Sequence, residues 1–177
     1  MKTICWVTSE YLLQVDMPVI AELNKIYDIT WVLLSKKNSD KIKTAEQYAK
    51  TNFLKMSVFE LTRNRFSPMN YFEYARLCKK ICAFNSDVYY FDFITFPFAL
   101  FAIKKYIAPE KVIMAMHHGS IHKSMEFRHL YKLFLSYLCK QKFRFQYFSK
   151  SDKLLYHNSL INTTNYDNYY KDSVEAV

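Results

Sequence analysis

Two adjacent histidines, His117 and His118, and the chain's only glycine, Gly119, close a short apolar run, Val112-Ile113-Met114-Ala115-Met116. Histidine changes protonation near neutral pH, so it suits proton transfer and hydrogen bonding to a reacting group. In an open α/β sheet, ligands sit just outside the carboxyl ends of the strands, and a strand ending in histidine places the imidazole there. A glycine beside it suits a tight turn or a close ligand approach. A second run, Asp87-Val88-Tyr89-Tyr90-Phe91-Asp92, ends in a carboxylate. A third, Thr3 to Thr8, leads into Ser9-Glu10-Tyr11. Two histidines in a loop are also common as plain surface polar residues, so the elements around them have to decide.

Those elements alternate. Thr3 to Thr8 predicts a buried first strand. Asp16 and Pro18 predict the start of a helix, because proline is tolerated in a first turn, and Val19, Ile20, Leu23, Ile26 and Tyr27 continue it at helical spacing. Ile29 to Leu34 is a second strand. A polar stretch from Ser35 to Thr44 leads to a short helix near Ala45 to Ala49, and Asn52 to Val58 is a third, weaker strand. Ser67 and Pro68 fit the cap and first position of a helix whose inward face carries Tyr71, Tyr74, Ala75, Cys78, Ile81 and Cys82. Asn85 suits its end, since asparagine accepts the left-handed conformation. Asp87 to Asp92, Lys111 to Met116 and Phe143 to Phe148 are strands four to six, separated by helices over Pro97 to Tyr106 and Lys123 to Lys140. Strands alternating with helices predict right-handed crossovers and a mainly parallel sheet, here in the order 3-2-1-4-5-6.

Composition narrows the classes. With 177 residues, half of them hydrophobic, the chain is one domain with a real core. No apolar run reaches the roughly 20 residues of a membrane-spanning helix, and the N-terminus lacks the pattern of a signal peptide. The net charge of +9 favours an anionic partner without choosing one. Cys5, Cys78, Cys82 and Cys139 lack zinc-type spacing; Cys78 and Cys82 share an apolar helix face and read as buried thiols in a reducing cytoplasm. No metal site is expected. A single glycine excludes the P-loop, the glycine-rich dinucleotide turn and the nucleophile elbow.

The order of elements and the endings of three strands resemble the N-terminal domain of GT-B-type retaining glycosyltransferases, the "glycosyltransferase group 1" relatives. The likeness is carried by Asn85 to Asp92, by Lys111 to His118 and by Phe145 to Asp152, and covers about Met1 to Asn158. It implies an α/β, Rossmann-like three-layer sandwich with a mainly parallel six-stranded sheet over residues 1–158. Residues 159–177 are expected to form a polar linker or poorly ordered tail. By the same resemblance His117 matches the histidine of the inter-domain cleft, which contacts the transferred sugar and the reacting centre. Ser9, Glu10, Asp92, His118, Gly119 and Ser149 would line the acceptor or substrate side. The nucleotide-sugar donor would bind a second, C-terminal domain whose paired glutamates do not occur here, so the chain is expected to be half an enzyme, inactive alone. Its acceptor would be a polysaccharide or glycolipid, at the inner face of the cytoplasmic membrane.

Arg128, Lys132 and Lys140 form one stripe of the helix expected over Lys123 to Lys140. Each basic residue near anionic lipid contributes roughly 1 kcal/mol, so this stripe is a candidate contact with an anionic membrane surface; a solvated helix face is the equal alternative. A non-enzymatic α/β ligand-binding or interaction module is the competing function. Nucleic-acid binding is not expected: Phe143-Arg144-Phe145-Gln146-Tyr147-Phe148 interleaves basic and aromatic residues, but a half-buried strand explains that alternation better.

Overall fold

The structure, a computed structural model, describes residues 1–61, 69–92, 97–116 and 143–147. The first half alternates β1 (Thr3–Ser9), α1 (Leu13–Leu23), β2 (Asp28–Lys36), α2 (Asp40–Thr51) and β3 (Lys55–Leu61). The second comprises α3 (Asn70–Cys82), β4 (Val88–Asp92), α4 (Pro97–Tyr106), β5 (Val112–Met116) and β6 (Arg144–Tyr147). The six strands form one sheet in the order β3-β2-β1-β4-β5-β6. Every neighbouring pair is parallel. The chain moves outward from β1 to β3, then returns to the other side of β1 as β4, so the order reverses between β1 and β4.

Strands buried on both faces need apolar residues at successive positions, and the central strands have them. Alternation sends them to opposite layers. Cys5, Val7, Val32, Leu34, Tyr89 and Phe91 face α3 and α4, where they meet Leu77, Cys78, Ile81, Ala99, Ala102 and Ile103. Trp6, Trp31, Leu33, Tyr90 and Ala115 face α1 and α2, where they meet Leu13, Ile20, Ala45 and Ala49. The result is a Rossmann-like three-layer arrangement. No helix among the described residues is long and apolar enough to cross a membrane.

Several boundaries differ from the sequence reading. α1 begins at Leu13, before Asp16 and Pro18, and Pro18 lies inside it. The missing Pro18 N–H deprives the Gln14 carbonyl of its helical donor, but both residues are exposed, so water can replace the bond. The helix stops at Leu23 rather than Tyr27, where Lys25 and Ile26 donate their N–H groups to carbonyls three residues back, Glu22 and Leu23, at 3.2 and 3.0 Å, in a tighter closing turn. β2 extends to Lys36 and α2 starts at Asp40, so the polar stretch predicted there is mostly regular structure. β3 starts at Lys55, since Asn52 and Phe53 belong to the end of α2. Ser67 and Pro68, the helix expected over Lys123 to Lys140 and the tail 159–177 lie outside the described residues.

Scarcity of glycine shows at the helix ends. Asn38, Phe53 and Asn85 all take positive φ, at 58°, 54° and 48°. Asn85 does what its residue type predicts. Phe53 occupies the position after the α2 cap where glycine is usual: the Leu54 N–H reaches the Ala49 carbonyl at 2.9 Å and the Phe53 N–H reaches Lys50 at 3.4 Å. This is the two-bond pattern that closes a helix through a left-handed residue. The Phe53 side chain is 90% exposed, so little packing offsets the strain. Phe53→Gly is therefore expected to stabilise the fold by about 1 kcal/mol, the left-handed penalty less the entropy glycine adds to the unfolded chain. Phe53→Val should destabilise it, because a β-branched side chain tolerates this region worse. Urea midpoints at unchanged slope measure both.

Candidate functional site

The place where strand order reverses is where an open α/β sheet opens a crevice. Here that place is the carboxyl edge between β1 and β4. The register pairs Trp6 with Tyr90 and Val7 with Phe91. Thr8 and Asp92 follow on the face that looks toward α1. On α1, the inward stripe is Leu13, Asp16 and Ile20. Its spacing of three and four residues is that of a core face, with a carboxyl group in the middle. Thr8 is fully buried, and Asp16 and Asp92 are only 5% and 3% exposed.

A carboxylate removed from water requires a partner or a proton. The Thr8 hydroxyl donates to Asp16 Oδ2. Burial is the main reason the Asp16 carboxyl is pushed up to about 7, and its hydrogen bond to Asp92 and the Asp92 charge push the same way. Donation from Thr8 and the nearby Trp6 indole N–H opposes the rise but does not cancel it. Trp6 Nε1 is itself buried, and Asp16 is the acid it faces. Its ring lies 3.9 Å, centroid to centroid, from that of Tyr90. The Tyr90 hydroxyl is pushed up by burial, then by the charges of Asp92 and Asp16. Asp16 thus keeps a proton to near neutral pH, beside Asp92 and the rings of Trp6 and Tyr90, at the switch point of the sheet. Such a pair can exchange a proton or accept and donate hydrogen bonds to hydroxyls.

Glu10 belongs to a different group of contacts on the same edge. Its N–H extends the ladder to the Leu34 carbonyl at 3.1 Å. Ser35 Oγ donates to Glu10 Oε2 at 2.8 Å. Burial alone would raise the Glu10 carboxyl, but hydrogen bonds from Ser35, Ser39 and the Lys36 backbone, with the Lys41 charge, hold it below its ordinary value. Lys41 Nζ also donates to the Glu10 carbonyl oxygen at 3.1 Å and lies 5.7 Å from the centre of the Tyr11 ring. Ser9 ends β1 on the opposite face from Thr8; its Oγ is buried without a hydrogen-bond partner among the described residues.

Ser9, Glu10 and Asp92 therefore share one edge of the sheet but have different neighbours: Asp92 sits with Asp16 and Thr8, Glu10 with Ser35 and Lys41. His117, His118, Gly119 and Ser149 lie outside the described residues, as do Arg128, Lys132 and Lys140. Sequence reasoning missed Asp16 as a site residue and used it only to mark a helix start. The signal was there: a carboxylate between Leu13 and Ile20 on an inward stripe.

The thiols of Cys5, Cys78 and Cys82 offer no nucleophile. Burial, and then the neighbouring Cys82, push Cys5 up to about 12, and burial also raises Cys78 and Cys82. The Cys82 thiol donates to the Tyr106 carbonyl at 3.3 Å. Among the described residues, no group of three His, Cys, Asp or Glu side chains is placed to hold a metal ion.

No family model matches the chain, and no curated protein matches it. Two solved structures are similar in arrangement. One is UDP-GlcNAc 2-epimerase from Neisseria meningitidis bound to UDP-GlcNAc, with 14% identity and a TM-score of 0.47 over 100% of this chain and 55% of that one. This chain spans about half the length of that epimerase. The other is a predicted subunit of tRNA methyltransferase from Methanocaldococcus jannaschii, with 10% identity and a TM-score of 0.36 over 88% of this chain and 74% of that one. Neither likeness carries information on what this chain binds.

The carboxyl pair has a stability signature. Asp16 stands at about 7 folded against about 3.9 in an unfolded chain, so the folded state holds this proton more tightly. Its contribution to stability is fullest below the unfolded value, falls as pH rises between the two, and levels off above the folded one. Asp16→Asn keeps an acceptor for Thr8 and a donor for Asp92 without a charge to bury. The variant is expected to melt higher than the parent at pH 8, by about 2–4 °C for each kcal/mol recovered, with no such gain at pH 4. Thermal melts across that range measure it.

Proposed function

We propose that this chain is the acceptor-side half of a glycosyltransferase, which moves a sugar from a nucleotide-sugar donor to a hydroxyl of a polysaccharide or glycolipid. One observation supports this most. The three segments that resemble the family contribute β4, β5 and β6, three adjacent parallel strands with a common carboxyl edge. Asp92 pairs with Ala115, so the carboxyl ends of β4 and β5 lie side by side, and His117 follows Ala115 by two positions in the sequence. In this reading His117 orients the sugar and stabilises charge at the reacting centre through a hydrogen bond from its imidazole. Ser9, Glu10, His118, Gly119 and Ser149 complete the acceptor side. The donor belongs to a second domain, covalent or separate, because the β1–α1 turn has no glycine with which to approach a pyrophosphate.

Two measurements on the purified chain test the proposal. In amide NMR spectra, hexose oligosaccharides are expected to shift Ser9, Glu10, Tyr11, Asp92 and Ala115. The chain alone is expected to transfer no sugar from UDP-, GDP- or dTDP-hexoses. Shifts confined to other surfaces would overturn the acceptor reading and favour a binding module of another kind. Sugar transfer by these 177 residues would overturn the division into halves.

A further inference from the structure

We infer that Tyr11 and Lys41 form an acceptor subsite for a sugar unit that carries a negative charge, a phosphate or a carboxylate. The inference rests on the acceptor reading above and specifies its ligand. Tyr11 lies in the turn between β1 and α1, just past the carboxyl end of β1, and 57% of its surface is exposed. The core does not account for an aromatic ring there. A pyranose presents an apolar C–H face, and an exposed tyrosine ring is a surface on which that face can stack.

Lys41 supplies the charge and is held in place. It rises from the first turn of α2, lies 5.7 Å from the centre of the Tyr11 ring and donates to the Glu10 carbonyl at 3.1 Å. An ammonium group has three donors, so this bond leaves capacity for an anionic ligand. The Glu10 carboxylate lies within range of the Lys41 charge, and hydrogen bonds from Ser35 at 2.8 Å, from Ser39 and from the Lys36 backbone share in holding it. Asp40, the other acid of this loop, is outnumbered by the exposed Lys36, Lys37 and Lys43. Ties between the β1–α1 and β2–α2 loops make one preorganised wall, which lowers the ordering cost of binding. The chain's net charge of +9 favours the same class of ligand.

Amide NMR titrations with glucose, glucuronate, glucose 6-phosphate and inorganic phosphate test this. Glucuronate or glucose 6-phosphate is expected to shift Tyr11 and Lys41 with at least tenfold tighter binding than glucose or inorganic phosphate; which one does so identifies the anion. Lys41→Gln should erase the preference for charged sugars, Lys41→Arg should keep it, and Tyr11→Ala should weaken sugars while leaving inorganic phosphate unchanged. Equal binding of glucose and both charged sugars would overturn the subsite, as would inorganic phosphate matching glucose 6-phosphate or a preference that survives Lys41→Gln. The acceptor reading would still stand if neutral oligosaccharides shifted the edge around Ser9 and Asp92.

Discussion

A carboxyl group on the inward stripe of a helix is the constraint around which the carboxyl edge is built. Asp16 cannot face the sheet as an isolated anion, because the desolvation of an unpaired charge costs more than a typical core contact returns. It is accommodated by a proton, by the Thr8 hydroxyl and by Asp92. These partners come from the first helix and from the two strands where the order of the sheet reverses. The interaction therefore sets the position of α1 over β1 and β4, and with it the turn that carries Ser9, Glu10 and Tyr11.

The scarcity of glycine acts on the same edge. Where many α/β folds bring a flexible turn close to a phosphate, this chain has a serine, a glutamate and a tyrosine, and side-chain contacts hold the glutamate and the tyrosine. The edge is thus made of polar and aromatic side chains rather than exposed backbone N–H groups. Such a wall suits hydroxyl-rich and charged sugars better than a pyrophosphate held by main-chain donors. Elsewhere the same scarcity leaves Phe53 in a conformation that glycine would adopt more easily.

Much of this fold was legible in the sequence. The six strands and their order follow from apolar runs separated by helical patterns, and Asn85 marked the end of α3. Asp92 was recognised as a carboxylate at a strand end. The start of α1 was misread because Pro18 was taken as a first-turn residue; its exposed face lets it sit deeper in the helix. Asp16 was visible as a residue but not as a partner of Asp92, since the pairing requires a strand crossover that spacing does not encode. The Glu10 contacts were equally hidden. Ser35 is 25 positions away and Lys41 is 31, and only the parallel pairing of β1 with β2 brings their loops together.

The account stands or falls on the proton that burial keeps on Asp16 beside Asp92. A carbon-13 NMR titration of the aspartate side-chain carboxyl groups reads it directly. Asp16 is predicted to titrate near 7. An Asp16 carboxyl that titrates near 4, in the ordinary range for aspartate, would contradict a buried carboxyl that keeps its proton at the switch point of the sheet.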